Sequence, residues 1–249
     1  MSPEKKMSKR QAMRAKRERK ARMQRVGLIG IIVVGALLVA VALIYPNLKP
    51  IGEIVTKDPG DHPMANDNAM GDPNAPIKIE EFSDFQCPYC ARFHEETEWQ
   101  ITNSYVTDGK VLFVYRSFGD FIGPESKAAA EAAYCAGDQN KYWEFHDILF
   151  ANQTGENVGA FSDRRLNAFA EALSLDMDAF SSCFDSGKYA DRVQQDSQDG
   201  TAAGVTGTPA FLITYTVDGE VKHRFIAGAY PFSEFQTQFD EALAEMGLN

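Results

Sequence analysis

Two cysteines, Cys87 and Cys90, are separated by only two residues. Thiols at this spacing can form a disulfide with little backbone movement, and one can attack a disulfide while the other releases the product. The pair follows an apolar run, residues 77–82, and precedes a segment with helical character, residues 91–104. A cysteine at a helix start faces free N–H groups that stabilise its thiolate. This context favours dithiol–disulfide exchange over half a zinc site or a structural disulfide.

A second motif lies far downstream, where Pro209 stands at the head of an apolar segment, residues 210–214, after the turn sequence of residues 204–207. Proline cannot donate to a sheet, so it belongs at the start of a strand or on an edge. A cis X-Pro bond costs only ~0.5–1 kcal/mol, so a fold can select it. A cis bond after Thr208 would turn the Thr208 backbone outward, toward an extended substrate. An ordinary loop proline is the alternative interpretation.

Three segments, in family order, resemble the thioredoxin superfamily, and specifically its DsbA-like (BdbD-like) thiol–disulfide oxidoreductases with a helical insert. They are residues 82–90, residues 128–153 and residues 204–211. The resemblance covers the chain from about residue 74 to the C-terminus. It implies a thioredoxin fold with an inserted α-helical domain and no organic cofactor.

The resemblance also implies roles for the residues that match the catalytic motif. Cys87 would be the nucleophile, Cys90 the resolving thiol, and Glu81 the buried acid beneath the cysteine pair. A carboxylate at Glu81 could take the proton from Cys90, directly or through water. Glu80 is its neighbour on the opposite face of the strand, so one of the two must point away from the core. A surface glutamate on a strand edge is the alternative for Glu81.

The substrate-binding residues implied by the resemblance are Thr208, Pro209, Pro88 and Tyr89. DsbA proper usually has valine before the cis-proline, whereas this chain has Thr208, as in isomerases and reductases of the superfamily. The Pro88–Tyr89 dipeptide also occurs in glutaredoxins. The sequence therefore leaves the direction of electron flow open.

Charge is distributed unevenly along the 249 residues, whose net charge is −10. The segment Met1–Arg25 holds eleven Lys or Arg and two Glu, about +9, so the remainder carries about −19. A hydrophobic content of 44% is sufficient for a globular core. The basic segment could be a nucleic-acid patch, but its position beside an apolar stretch favours a membrane-topology signal. We expect no nucleic-acid partner.

The apolar stretch, residues 26–45, is uncharged and has the ~20-residue length of a transmembrane helix. Basic flanks remain cytoplasmic, which predicts a single-pass protein of the cytoplasmic membrane with its N-terminus inside and its catalytic domain outside. The competing interpretation is a cleaved signal peptide, because residues 40–42 have the Ala-x-Ala form.

Two further cysteines, Cys135 and Cys183, would lie outside the membrane on this topology. Disulfides form and persist in oxidising compartments. The even cysteine count in such a compartment favours a structural disulfide between these two, with two unrelated buried thiols as the alternative.

The periodicity of the chain predicts β-α-β, a helical block, and then β-β-α. Strands are expected at residues 77–82, 111–115, 211–215 and 221–225, and residues 126–149 have helical content. The predicted organisation is a basic cytoplasmic segment at 1–25, a transmembrane helix at 26–45, a linker at 46–76, a thioredoxin-like domain at 77–123 and 204–249, and an inserted helical domain at 124–203.

One histidine, His94, lies four residues after Cys90 and invites a Cys-Cys-His metal site. The sequence offers no fourth ligand, so we expect no metal there. His146 lies in a predicted helix that is rich in aromatic residues, and we expect it to be a partly buried packing residue.

The favoured function is a disulfide oxidase that acts on reduced exported proteins and is reoxidised by a membrane redox partner, DsbB-like or VKOR-like, as the family implies. The alternatives are a thiol reductase or isomerase kept reduced by a membrane electron carrier, and a non-catalytic thioredoxin-fold binding module.

Overall fold

The computed structural model describes residues 9–48, 50–56, 60–119 and 121–248. The chain divides into two compact units, Met1–Pro50 and Ile51–Asn249. In the first unit the described residues form one helix, α1 (Lys9–Leu48). The part Lys9–Ala42 contains a stretch that is long and apolar enough to cross a membrane, by length and composition. The predicted span and the described part of the predicted basic segment, from Lys9 onward, thus belong to one continuous helix.

The second unit is built on a five-stranded mixed sheet with the order β1-β3-β2-β4-β5. The strands are β1 (Ala69–Met70), β2 (Ile77–Ser83), β3 (Val111–Ser117), β4 (Ala210–Val217) and β5 (Glu220–Ala227). The central strand β2 pairs parallel with β3 and antiparallel with β4, and β4 pairs antiparallel with β5. Alternate residues of β3 are buried, as the period of a strand requires, whereas β2 alternates only as far as Glu81 and is buried on both faces at Glu81–Ser83, where it approaches the cysteine pair.

A long helical run joins β2 to β3 and starts at the cysteine pair. It begins with α2 (Pro88–Phe93) and continues through a π-helical segment, His94–Glu98, then α3 (Trp99–Ile101) and a second π-helical segment, Thr102–Val106. π-helical turns inside helices are frequent at functional sites. The closing helix, α9 (Phe232–Glu245), packs Phe235 against Phe93 and Phe211, with ring centroids 5.3 and 4.8 Å apart.

The inserted block between β3 and β4 consists of five helices. They are α4 (Pro124–Gly137), α5 (Tyr142–Ala151), α6 (Asp163–Ala172), α7 (Met177–Asp185) and α8 (Ala190–Ala202). A disulfide joins Cys135 of α4 to Cys183 of α7, with their Cα atoms 5.8 Å apart, and this is the pairing that the cysteine count favoured.

The structure divides the helical content expected over residues 126–149 between two helices, α4 and α5. The helix breaks after Gly137, and Asn140 takes the left-handed conformation with φ of 57° before α5 begins. Asparagine tolerates this conformation because its short polar side chain bonds locally. Two helices can then pack side by side where a single one would extend past the core.

The structure corrects the linker predicted at residues 46–76. Residues at its end fold with the sheet, since Met70 of β1 is fully buried and the Asn68 amide donates to the main-chain carbonyl of Tyr115 at 2.5 Å. Earlier in the segment, the main chain of Val55 exchanges two hydrogen bonds with the Asn152 side chain. At the other end of the prediction, α1 continues to Leu48. Proline and glycine content alone did not distinguish such a docked segment from a free tether.

Candidate active site

Cys87 lies at the N-terminus of α2, immediately before the helix proper. Its backbone is extended, with φ of −72° and ψ of 122°, and Pro88 occupies the first helical position. Proline favours this position, because its fixed φ suits a helix start and its missing N–H is not needed there. The Cys87 side chain is nearly enclosed, with 5% of its surface exposed. Its Sγ lies 3.4 Å from the main-chain oxygen of Thr208, on the other side of the site.

The pKa of Cys87 is lowered to about 6, well below that of a free thiol. The largest cause is a hydrogen bond from the Cys90 thiol, which stabilises the Cys87 thiolate. The Thr208 side chain and the main-chain N–H groups of Tyr89 and Cys90 act in the same direction, while burial opposes them. The Cys90 thiol, together with the free N–H donors of the helix start, thus makes Cys87 the thiolate of the pair at neutral pH.

Cys90 lies one turn further into α2 and is fully buried. Its pKa is shifted in the opposite direction from that of Cys87. Burial raises its pKa well above the usual value, and the hydrogen bond and negative charge of Cys87 raise it further. The charge of Glu81 adds to this effect. One cysteine is therefore poised as a nucleophile and the other as a protonated thiol.

Glu81 is a buried carboxyl on the central strand, with 1% of its surface exposed. In the sheet it pairs with Tyr115 of β3 and Phe211 of β4, so aromatic neighbours flank it. Burial raises its pKa well above the usual range, and the negative charge of Glu98 adds to this. Its Oε2 accepts no hydrogen bond from the described residues. Glu80 points to the other face and forms an ion pair with Lys78 at 2.8 Å.

The turn that leads into Cys87 is held by Asp84, a residue that the sequence analysis did not single out. Its carboxylate accepts hydrogen bonds from the main-chain N–H groups of Gln86, at 2.8 Å, and Ile122, at 3.3 Å. The main-chain N–H of Cys87 donates to the Asp84 carbonyl at 2.9 Å. Burial raises the pKa of Asp84 to about 6. An Asp three residues before a helix start is the local sequence signal for such a turn.

Side chains from the helical insert hold the same turn from outside. The Gln153 amide donates to the main-chain carbonyls of Phe85, at 2.7 Å, and Cys87, at 3.1 Å. The fully buried Gln86 side chain donates to the Ser126 hydroxyl at 2.7 Å and accepts from the main-chain N–H of Asn157 at 2.5 Å. These contacts join segments far apart in sequence, so only the tertiary structure reveals them.

The expected substrate-binding residues lie around the cysteine pair. The Thr208–Pro209 peptide bond is cis, and the Thr208 carbonyl approaches Cys87 Sγ as described above. Pro88 and Tyr89 are exposed between the two cysteines, Tyr89 with 57% of its surface. The structure therefore brings Cys87, Cys90 and Thr208 together.

A family model described as "Thioredoxin" matches residues 64–240, which includes the sheet, the cysteine pair and the helical insert. The chain belongs to the thioredoxin family. The fold expected from the sequence, a thioredoxin-like α/β fold with helical elements and one N-terminal candidate membrane helix, is confirmed.

Two curated relatives illustrate how this thioredoxin-family chain compares with whole proteins. It is 29% identical over 164 residues to "Probable disulfide bond formation protein D" of Bacillus anthracis, covering 63% of this chain and 75% of that protein. It is 33% identical over 147 residues to "Na(+)/H(+) antiporter NhaA 1" of Salinispora arenicola, covering 59% of this chain. The chain spans about a fifth of the length of the antiporter relatives that it matches (21%).

Two solved structures share the fold over most of their length. The α-DsbA1 of Wolbachia pipientis superposes with a TM-score of 0.64 at 25% identity, covering 74% of this chain and 94% of that chain. The oxidised BdbD of Bacillus subtilis superposes with a TM-score of 0.62 at 21% identity, covering 75% and 97%. The resemblance to DsbA-like proteins that the sequence carries is confirmed.

Proposed function

We propose that this protein is a membrane-anchored thiol–disulfide oxidase that acts outside the cytoplasm on reduced exported proteins. The observation that carries the proposal is the opposite polarisation of the two thiols, with the pKa of Cys87 lowered to about 6 and that of Cys90 raised. A stabilised thiolate favours the reduced form of the pair, so its disulfide is a stronger oxidant. The similarity to a relative named as a probable disulfide bond formation protein also supports the proposal of an oxidase.

The reaction starts from the Cys87–Cys90 disulfide. A substrate thiolate attacks the Cys87 sulfur, a mixed disulfide forms, and the sulfur–sulfur bond to Cys90 breaks with two electrons going to Cys90. The Cys90 thiolate takes a proton, for which the buried carboxyl of Glu81 is the proposed donor. A second substrate thiolate then attacks the substrate sulfur of the mixed disulfide, and the Cys87 thiolate leaves. The substrate gains a disulfide and the pair becomes a dithiol.

The substrate backbone is proposed to lie beside Thr208, whose carbonyl faces the site at Cys87. An extended segment can add main-chain hydrogen bonds there, while Pro88 and the exposed Tyr89 contact its side chains. Reoxidation of the pair is assigned to a membrane partner, DsbB-like or VKOR-like, that carries the two electrons away. The basic end of α1 is proposed to remain cytoplasmic, with the second unit on the opposite side of the membrane.

The reverse direction is the second candidate function, and Thr208 is the observation that favours it, since the family's reductases and isomerases have threonine there. A redox titration of the purified protein against glutathione separates the two. A potential near about −120 mV, the DsbA value, supports the oxidase, and one near about −270 mV, the thioredoxin value, supports the reductase. Absence of any exchange with reduced RNase or oxidised insulin would instead favour a binding module.

A further inference from the structure

A group of histidines and carboxylates lies beneath the helical run that follows the cysteine pair. His94 and Glu98 come from the first π-helical segment, and His146 and Asp147 come from α5 of the insert. A cavity of about 270 Å³ opens next to them and is lined by His94, Glu98, Asp147 and His62, among others. None of these residues is a reacting group in the proposed thiol chemistry, although the charge of Glu98 contributes to the raised pKa of Glu81.

Three of these side chains converge on one point. The Glu98 Oε2 lies 3.3 Å from His94 Nδ1 and 3.8 Å from His146 Nε2. One ligand atom from each of the three residues lies within 4.8 Å of the other two. Two ligands bonded at ~2.0–2.1 Å to one tetrahedral zinc ion are roughly 3.3 Å apart, so modest inward movement would close the set.

The orientation of the His146 ring is the decisive observation. Its Nδ1 lies 3.1 Å from Asp147 Oδ1, and two acceptors would repel at that distance, so Nδ1 carries the proton. Its Nε2 therefore presents a lone pair. This atom is fully buried and has no hydrogen-bond partner among the described residues. A bare nitrogen thus faces the Glu98 carboxylate at 3.8 Å, with no proton between them.

Asp147 acts as a supporting carboxylate. Its Oδ2 accepts from the main-chain N–H of Gly60 at 3.1 Å and lies 3.5 Å from His62 Nε2, while its Oδ1 holds His146. A carboxylate that binds the far nitrogen of a histidine fixes the ring so that the other nitrogen can ligate a metal. The ring of His94 is stacked on Phe150, with centroids 5.0 Å apart, which restricts its orientation as well.

We propose that His94, Glu98 and His146 bind a divalent transition-metal ion, Zn²⁺ in the first place. Two imidazole nitrogens and one carboxylate oxygen are a donor set that suits zinc, and the adjoining cavity leaves room for water in the fourth position. The ion would replace the proton between His94 and Glu98 and fill the gap between Glu98 and His146. This set differs from the Cys-Cys-His combination that the spacing of His94 suggested.

The test uses the full-length protein in detergent, with Cys87→Ser and Cys90→Ser, so that the thiols cannot bind the probe metal. Zn²⁺ is titrated against a chromophoric chelator, and Co²⁺ is added separately for visible spectroscopy. We expect one equivalent of Zn²⁺ to bind, and Co²⁺ to give the intense bands of a tetrahedral site. His94→Gln should weaken Zn²⁺ binding at least about 10-fold, as should Asp147→Asn through the second shell.

The matched control is His223→Gln, which removes an exposed imidazole on β5 and should leave the affinity unchanged. His94 is chosen over Glu98 because it is partly exposed, with 25% of its side-chain surface accessible, so its replacement should not prevent folding. Circular dichroism checks the fold of every variant, and Zn²⁺ should raise the Tm of the parent but not of the His94 variant. No stoichiometric binding, or equal affinity in His94→Gln and His223→Gln, would overturn the proposal. These readouts do not depend on thiol exchange.

Discussion

At the scale of single residues, the site depends on three ionisable groups, Cys87, Cys90 and Glu81. Their surroundings lower the pKa of the first and raise the pKa of the other two. Cys87 accepts a hydrogen bond from the Cys90 thiol and faces the donors at a helix start, so its thiolate is stabilised, whereas Cys90 and Glu81 are buried, so their neutral forms are favoured. Desolvation disfavours any charged form, and only hydrogen bonds or opposite charges can offset it. A spacing of two residues between the cysteines is thus enough to separate their pKa values.

The first prediction concerns the reactivity of the two thiols. In the reduced protein, the rate of Cys87 alkylation by iodoacetamide should rise with pH through a midpoint near 6, because the thiolate is the reactive form and the pKa of Cys87 is about 6. Cys90 should remain unmodified over this range. Peptide mapping by mass spectrometry identifies the labelled cysteine. Cys87→Ser should abolish exchange and Cys90→Ser should trap mixed disulfides, so labelling of Cys90 first at pH 6 would reverse the roles.

The second prediction concerns proton transfer by Glu81. Glu81→Gln should slow formation of the mixed disulfide, the step in which Cys90 leaves and takes a proton, at pH 7 by roughly 100-fold, the lower end of the usual contribution of general acid–base catalysis. Stopped-flow kinetics over a range of pH values measures this, and the variant should also lose the pH dependence that the carboxyl imposes. Glu80→Gln is the matched control, since Glu80 lies next in the strand but pairs with Lys78 on the other face. Equal rates in the two variants would exclude the role.

At the scale of elements, the helical insert positions the active-site turn as well as covering the sheet. Gln153 follows α5 and bonds to two carbonyls of the turn, while Ser126 of α4 and Asn157 bind the buried Gln86. Buried polar groups need partners, and these partners come from across the insert. Removing or loosening the insert should therefore affect the chemistry at Cys87.

The third prediction tests this coupling through Gln153. Gln153→Leu removes two donors and should lower the free energy of unfolding by about 1–3 kcal/mol. It should also slow thiol exchange, because the turn before Cys87 loses its outer support. Gln139→Leu is the control, since Gln139 makes two comparable hydrogen bonds to the main chain of Asp176, within the insert. A similar loss of stability with normal exchange is expected for that control, and normal exchange in both variants would contradict the coupling.

The fourth prediction concerns the disulfide between Cys135 and Cys183, which ties α4 to α7 across 48 residues of sequence. Replacing both cysteines with alanine should lower the free energy of unfolding by about 2–4 kcal/mol, because the unfolded chain regains the freedom that a closed loop removes. Denaturant titrations of oxidised protein measure the change, and the pKa of Cys87 should stay near 6. Peptide maps should show the linked pair, and ready alkylation of both thiols in the native protein would exclude it.

At the scale of the whole molecule, the two units differ in charge, hydrophobicity and fold. The first is a long helix with a basic start and an apolar continuation, and the second is a folded domain with a strongly acidic composition. A basic segment next to an apolar span is the feature that sets the orientation of a single-pass membrane protein, and a net charge far from zero favours solubility of a folded domain.

The fifth prediction is that the intact protein stays in the membrane fraction after salt and carbonate washes, because α1 contains an apolar stretch long enough to span a bilayer. Fractionation followed by N-terminal sequencing measures this. Protease added outside the cytoplasm should degrade the second unit while the basic segment stays protected. A soluble protein that begins near Leu43 would show instead that a signal peptide had been removed.

The sequence by itself determined the local features of this protein, because local patterns report local physics. The spacing of Cys87 and Cys90, the strand before them and the helix after them predicted a polarised thiol pair. The apolar run after the basic segment predicted a membrane helix, and runs of apolar, β-branched and aromatic residues predicted four of the five strands. These inferences need only neighbouring residues.

The tertiary structure decided whatever depends on residues that are distant in sequence. Gln153 supports the active-site turn, and Met70, at the end of a predicted linker, is buried in the core. Neither residue carries a local sequence signal of its role. His94 and Glu98 meet His146 only because α5 packs beneath the helical run, although His94 had suggested a partner in Cys90. Burial and electrostatic coupling arise from this packing, so the chain order alone could not show them.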